Sequence, residues 1–157
     1  MKASLLRTEV PGLAPICLTH LVLDFTGTLS LDGGILPGVA GRIRKIATVL
    51  RVTIATADTF GTAKAALKRL AVEVQIVATG SDKAALVRRL GPKHTVAIGN
   101  GRNDVPMVRA AVLGIAVIGP EGACSELVSA ADVVVRDIRD ALDLILNPLR
   151  LKATLRE

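Results

Sequence analysis

Leu21-Val22-Leu23-Asp24-Phe25-Thr26-Gly27-Thr28-Leu29 opens as an uninterrupted apolar run and meets a carboxylate where a buried strand would end. A run of that length without polar alternation predicts a strand over 21–25 that is buried on both faces, as in a parallel sheet covered by helices. The same pattern recurs along the chain. Apolar runs predict strands over 52–56, 74–77, 95–98, 115–118 and 132–135. Between them, helical periodicity predicts helices over 37–49, 62–70, 82–90, 104–111, 121–130 and 137–146. Repeated β-α-β units imply right-handed crossovers and a doubly wound parallel α/β sheet, helices on both faces.

Around this core, residues 1–19 do not follow the alternation. Pro11-Gly12 predicts a turn between two short extended segments, expected to lie on a sheet edge. The stretch Leu31-Asp32-Gly33-Gly34-Ile35 predicts a tight hairpin after the first strand. Asn147-Pro148 is expected to end the last helix and leave a basic tail over 148–157. At 157 residues the chain is expected to form one domain, 1–157, with its core over 20–147.

Half the residues are hydrophobic, with two Phe and no Trp or Tyr, a composition suited to packed strands and poor for stacking on bases. The net charge of +6 invites a nucleic-acid reading. Its Lys and Arg are dispersed over the polar faces of several helices, which argues for a solvated surface instead. Cys17 and Cys124 form no metal or disulfide pattern and are expected to be free, buried thiols. No window approaches the roughly 20 apolar residues of a membrane span. A cytoplasmic location without membrane partners is the expectation.

In open α/β sheets, ligands bind beyond the carboxyl ends of the strands. The residues predicted at those ends are Asp24 with Thr26-Gly27-Thr28, Thr56-Ala57-Asp58, and Gly99-Asn100-Gly101-Arg102-Asn103-Asp104, while Lys83 opens the helix before the fourth strand. Together they offer a carboxylate nucleophile, acidic ligands for a divalent cation, a hydroxyl for phosphate oxygens and a cation against developing charge, the requirements of phosphoryl transfer. Blander roles exist for each residue alone. Asp58 reads as a helix cap through Thr59 and Phe60, Asp104 as another cap, Lys83 as a surface lysine and Thr56 as a strand residue.

These four stretches, in this order, resemble the four motifs of the haloacid dehalogenase (HAD) superfamily, over nearly all of the chain after residue 20. Asp24-Phe25-Thr26-Gly27-Thr28 is most similar to the Asp-Lys-Thr-Gly-Thr of P-type ATPase phosphorylation domains, and the chain resembles the soluble, P-type ATPase-like members of the superfamily. The resemblance implies a three-layer, Rossmann-like fold without a cap domain, an aspartyl-phosphate at Asp24, and phosphatase chemistry without ion transport. It implies Mg²⁺ held by Asp24, the Thr26 carbonyl, Asn100 and Asp104. Catalysis would rest on Asp24, Thr26, Thr56 and Lys83. A small phosphorylated substrate would be gripped by Thr56, Ala57, Lys83, Gly27 and Asn103, and homo-oligomers are frequent among such capless relatives.

Two departures qualify that picture. Thr26 stands where HAD phosphatases carry a general acid-base Asp, which predicts slow turnover of phosphomonoesters and a long-lived phosphoenzyme. Asn100 stands where they carry a metal-binding Asp, which predicts weaker Mg²⁺ binding. The competing expectation is a regulatory or binding module that keeps the fold and turns over little.

Overall fold

A computed structural model describes residues 5–58 and 60–157. Its centre is a six-stranded sheet in the order β10-β9-β8-β3-β6-β7. The strands are β3 (His20–Leu23), β6 (Arg51–Thr56), β7 (Glu73–Ile76), β8 (Thr95–Gly99), β9 (Leu113–Val117) and β10 (Val133–Val135), and each neighbouring pair is parallel. Within each strand, alternate side chains enter two different cores. Leu21, Leu23, Ile54, Val96, Ile98 and Ile115 face one side, against α1 (Val39–Ile46) and α6 (Ile138–Leu146). Val22, Ala55, Ala97 and Ala116 face the other, against α3 (Gly80–Leu90), α4 (Val105–Ala110) and α5 (Ser125–Ala130). The three alanines leave room for those helices to lie close to the sheet. The result is the three-layer α/β/α arrangement expected from the alternation of runs.

From β3 the chain moves outward to β6 and β7, then crosses back to β8 on the opposite side of β3. This reversal is a topological switch point, where the crossovers on either side diverge and open a crevice at the carboxyl ends. Asp24 directly follows β3, its amide donating to the carbonyl of Ile98 on β8 at 3.0 Å. The carboxylate therefore stands at the mouth of that crevice.

Two expectations about the periphery need correction. The first concerns the N-terminus, where β1 (Leu6–Thr8) and β2 (Ile16–Leu18) pair antiparallel across the Pro11-Gly12 turn. This hairpin does not lie on a sheet edge, because β2 runs through Thr19 directly into β3, whose two neighbours are already in place. Thr19 bonds to His94 and Arg51 at the amino ends of the flanking strands, so the hairpin lies below the middle of the sheet, opposite the crevice. The second concerns the C-terminus. Residues after Asn147 are not a loose tail but form α7 (Pro148–Leu155), which buries Leu151 in the larger core. Asn147 leaves helical geometry and ends α6, and Pro148, needing no partner for its missing N–H, starts a second helix.

The hairpin after the first strand forms as expected, from β4 (Ser30–Leu31) and β5 (Gly34–Ile35). Asp32 and Gly33 take φ of 50° and 87°, the left-handed pair that a two-residue hairpin turn requires. Its tip is tied to the start of α2 (Ala63–Leu67) by the Thr62 hydroxyl, which donates to the Gly33 carbonyl at 3.0 Å. Cys17 and Cys124 are free but only half-buried. No helix among the described residues is long and apolar enough to cross a membrane.

Candidate active site

Five side chains, following two strand ends and one helix start, converge at the switch point. Lys83, on the first turn of α3, is 1% exposed and reaches between two carboxylates. Its ammonium donates to Asp24 Oδ1 and to Asp104 Oδ1, each at 2.7 Å. The helix is aimed by a capping box, in which the Thr79 hydroxyl accepts from the Asp82 amide while the Asp82 carboxylate accepts from the Thr79 amide. A lysine held this way is no surface residue.

Asp104 spends its other oxygen on the loop that precedes it, accepting from the amides of Asn100 at 3.0 Å and Gly101 at 2.9 Å. It is wholly buried and its side chain turns back toward the crevice rather than capping α4. Asp24 is 5% exposed. Burial, followed by repulsion from Asp104, raises its carboxyl from the ordinary 3.8 to about 6, with Lys83 and Thr28 opposing the rise. Lys83 is raised as well: burial opposes its charge, but the two carboxylates outweigh that cost. Two carboxylates and one ammonium leave a surplus negative charge in a protected crevice.

Thr28 contributes something the sequence reading did not assign. Its hydroxyl lies 3.1 Å from Asp24 Oδ2 and 3.1 Å from Asn100 Oδ1. A hydroxyl has one proton, so it donates to only one of these acceptors at a time. The other oxygen is short of a positive partner. Two hard oxygens facing each other across a shared proton, with surplus negative charge beside them, suit a cation such as Mg²⁺. Among the described residues no three His, Cys, Asp or Glu side chains cluster closely enough to hold a metal. Any such site must therefore draw on amide, carbonyl and water oxygens, which Mg²⁺ accepts readily.

Of the remaining candidates, Thr56 ends β6, buried, and its hydroxyl accepts from the Asp58 amide at 2.9 Å. Its own proton is thereby left for an oxygen in the crevice. Thr26 Oγ1 is buried and has no hydrogen-bond partner among the described residues. Gly27 takes a φ of 76°, turning the loop sharply after Phe25. Ala57 is exposed next to Thr56, and Asn103 is exposed with no bond into the cluster. Asp58 follows its blander role with different partners: its carboxylate accepts from the amides of Thr62 and Ala63, both at 2.9 Å, at the start of α2. Of the two partners expected from the sequence, Phe60 makes no bond to this carboxylate and Thr59 lies outside the described residues.

The helix expected over 121–130 begins later than its sequence suggests. In the structure α5 starts only at Ser125, and the preceding residues form a loop at the carboxyl end of β9. Asn100 Nδ2 donates to the Gly122 carbonyl of that loop at 3.1 Å, which turns Asn100 Oδ1 toward Asp24 and Thr28.

Known proteins share this architecture. A family profile described as haloacid dehalogenase-like hydrolase matches residues 56–141. An uncharacterized protein of Methanocaldococcus jannaschii is 49% identical over 85 residues, spanning 50% of this chain and 91% of that protein. The 3-deoxy-D-manno-octulosonate 8-phosphate phosphatase of Moraxella catarrhalis, solved with a magnesium ion, a phosphate ion and a KDO molecule, matches with a TM-score of 0.63 at 21% identity, over 88% of this chain and 94% of that one. A zinc-transporting PIB-type ATPase matches with a TM-score of 0.62 at 24% identity, over 76% of this chain and 20% of the ATPase. At such identities the two structures establish a common fold.

Proposed function

Because the chain belongs to the haloacid dehalogenase-like hydrolase family, we propose that it is a magnesium-dependent phosphohydrolase or phosphotransferase that forms an aspartyl-phosphate at Asp24. The observation that carries this reading is the buried Asp24 carboxylate at the end of the central strand, held on one oxygen by Lys83 and on the other by Thr28. An Asp placed there for stability alone would be costly, since its charge is desolvated beside a second carboxylate. A nucleophile needs that position.

In the proposed reaction, an Asp24 oxygen forms a bond to phosphorus as the bond to the substrate's leaving oxygen breaks, and that oxygen departs with the electron pair. Water then attacks phosphorus and loses a proton to solvent, balancing the one the departed oxygen takes up; the bond to Asp24 breaks, and inorganic phosphate leaves while the carboxylate is regenerated. Lys83 orients Asp24 and offsets charge on the phosphoryl oxygens, and the Thr56 hydroxyl donates to one of them. Ala57 and Gly27 line the same crevice with backbone rather than charge. Asp24, the Thr26 carbonyl and Asn100 would hold the magnesium ion, which when bound would supply electrostatic neutralisation between the carboxylate and the incoming phosphate. Asp104 acts mainly through Lys83 and the loop amides, since both its oxygens already accept from protein donors.

No cap covers the crevice among the described residues. Near it the β4-β5 hairpin is tied to the segment before α2, where Phe60 is exposed beside Gly33. A small phosphorylated compound is the substrate class that fits, in keeping with the phosphatase whose fold this chain shares. The P-type-like motif sequence further supports a phosphoenzyme that persists. A screen of phosphorylated metabolites with Mg²⁺ should find turnover that disappears in Asp24→Asn. Turnover that survives that change excludes Asp24 as the nucleophile.

Two further outcomes are expected. Asn100→Asp restores a formal charge beside Asp24 and should tighten Mg²⁺ binding by about tenfold or more by calorimetry, given what carboxylates at or near metals contribute; unchanged affinity removes Asn100 from the ligand set. In addition, metal binding displaces protons from its ligands. With Asp24 raised to about 6 in the free protein, Mg²⁺ should release up to about half a proton at pH 6. At pH 8, where Asp24 is already ionised, it should release almost none. Calorimetry in buffers of different ionisation enthalpy reads the difference, and equal release at both pH values would remove Asp24 from the ligands.

A further inference from the structure

We infer that Gly80 is a positioning residue of the proposed phosphoryl transfer: the missing β-carbon at the start of α3 lets that helix touch the loop before α4, and so seats Lys83 between Asp24 and Asp104. This rests on the reading of Asp24 as the nucleophile and adds to it a residue with no polar side chain. Glycine lowers the stability of a helix relative to alanine, so its presence asks for a reason. Conformation is not the reason, since Gly80 does not share the left-handed φ of several other glycines in the chain. Space is. A Cβ on Gly80 would lie 2.7 Å from the main-chain oxygen of Asn103, 3.3 Å from its carbonyl carbon and 3.1 Å from Cγ of Pro106. The first distance is too short for a real contact and involves backbone, so one of the two elements would have to move.

The contact is in step with the charged cluster. Gly80 and Lys83, three residues apart, lie on one face of α3. They meet consecutive residues of one loop, Asn103 at its carbonyl and Asp104 at its carboxylate. That loop has little room to retreat. Asp104 Oδ2 is held by the amides of Asn100 and Gly101. A Cβ on Gly99 would lie 2.4 Å from Asp104 Cγ, so the carboxyl group already rests on the end of β8. Behind it, Pro106 lies in the first turn of α4, which buries Met107 and Val108 in the second core. The displacement forced by a side chain at position 80 therefore falls on the first turn of α3, whose capping box is internal to that turn and travels with it. Lys83 is then carried away from two carboxylates that it reaches at 2.7 Å.

Misplacement of an active-site group by about 1 Å can cost about 100-fold in rate. Two readouts on the full chain test the seat. In the wild type, burial and two ion pairs should keep Lys83 unreactive toward acetic anhydride, read by peptide mapping. Gly80→Ala should make Lys83 readily acetylated and slow aspartyl-phosphate formation from acetyl phosphate and Mg²⁺ by about 10–100-fold. Gly41→Ala in α1, where a Cβ meets nothing within 4 Å, should change neither. For a weakly folded variant, denaturant unfolding supplies a further test: Gly80→Ala should cost clearly less stability in the Lys83→Met background than alone, because both changes disrupt one contact. Lys83 as protected in Gly80→Ala as in the wild type would overturn the inference. So would phosphoenzyme formation within about twofold of wild type, or a stability cost that Lys83→Met leaves unchanged. A wild-type chain that takes up no phosphoryl group defeats the Asp24 reading instead, and the acetylation of Lys83 still decides whether Gly80 seats it.

Discussion

Lys83→Met should destabilise the fold by about 3–5 kcal/mol, the usual cost of removing one partner from a buried ion pair. Lys83 is 1% exposed and sits 2.7 Å from each of two carboxylates that are themselves buried. Methionine fills a similar volume, so packing changes little. What remains is Asp24 and Asp104 facing each other with no compensating cation. Protonation of one of them limits the penalty, which is why the figure stays well below a Coulomb estimate for the interior. Against a total stability of about 5–15 kcal/mol for a typical domain, the loss is a large fraction. Denaturant unfolding at neutral pH measures it. Adding Asp104→Asn to Lys83→Met should restore part of the stability, because the repulsion is then gone, whereas a cost below about 1 kcal/mol for the single change would mean that the cluster is not the tight triad described.

The second large effect is a gain. Thr26→Asp should accelerate turnover of sugar phosphates by about 10²–10⁴, the range that general acid-base assistance supplies, or roughly 3–5 kcal/mol of barrier. Thr26 Oγ1 is buried at the crevice without a partner. A hydroxyl there gives little help to an alkoxide that must leave with a proton. Aryl and acyl phosphates, whose leaving groups depart as anions, should change far less. The aspartyl-phosphate should also become shorter-lived, since the same carboxylate activates the attacking water. Unchanged sugar-phosphate turnover together with an unchanged phosphoenzyme lifetime would contradict the role assigned to this position.

Much of the architecture was legible in the runs themselves. Strands such as β3 and β8 are buried on both faces, and that doubly covered environment demands continuous apolar sequence. The motif residues were legible for a related reason: a polar residue ending such a run projects at the carboxyl edge of the sheet. The less legible parts depended on tertiary contacts. Asn147 ends one helix and Pro148 begins another, and only the burial of Leu151 distinguishes that from a tail. The N-terminal hairpin could be foreseen as a hairpin, but its place under β3 follows from strand order. Thr28 carried no role of its own in the first motif, because the partners that meet at its hydroxyl include Asn100, 72 positions away. The true start of α5 was hidden as well, since helix starts are set by local caps that the run from 121 to 130 does not announce.

Acid-quenched chain exposed to radiolabelled acetyl phosphate and Mg²⁺ reports whether Asp24 carries the phosphoryl group. The label should be retained on the wild-type protein, map by peptide analysis to Asp24, be released by hydroxylamine as acyl phosphates are, and be missing from Asp24→Asn. Label on another residue, or equal labelling of Asp24→Asn, would contradict the account.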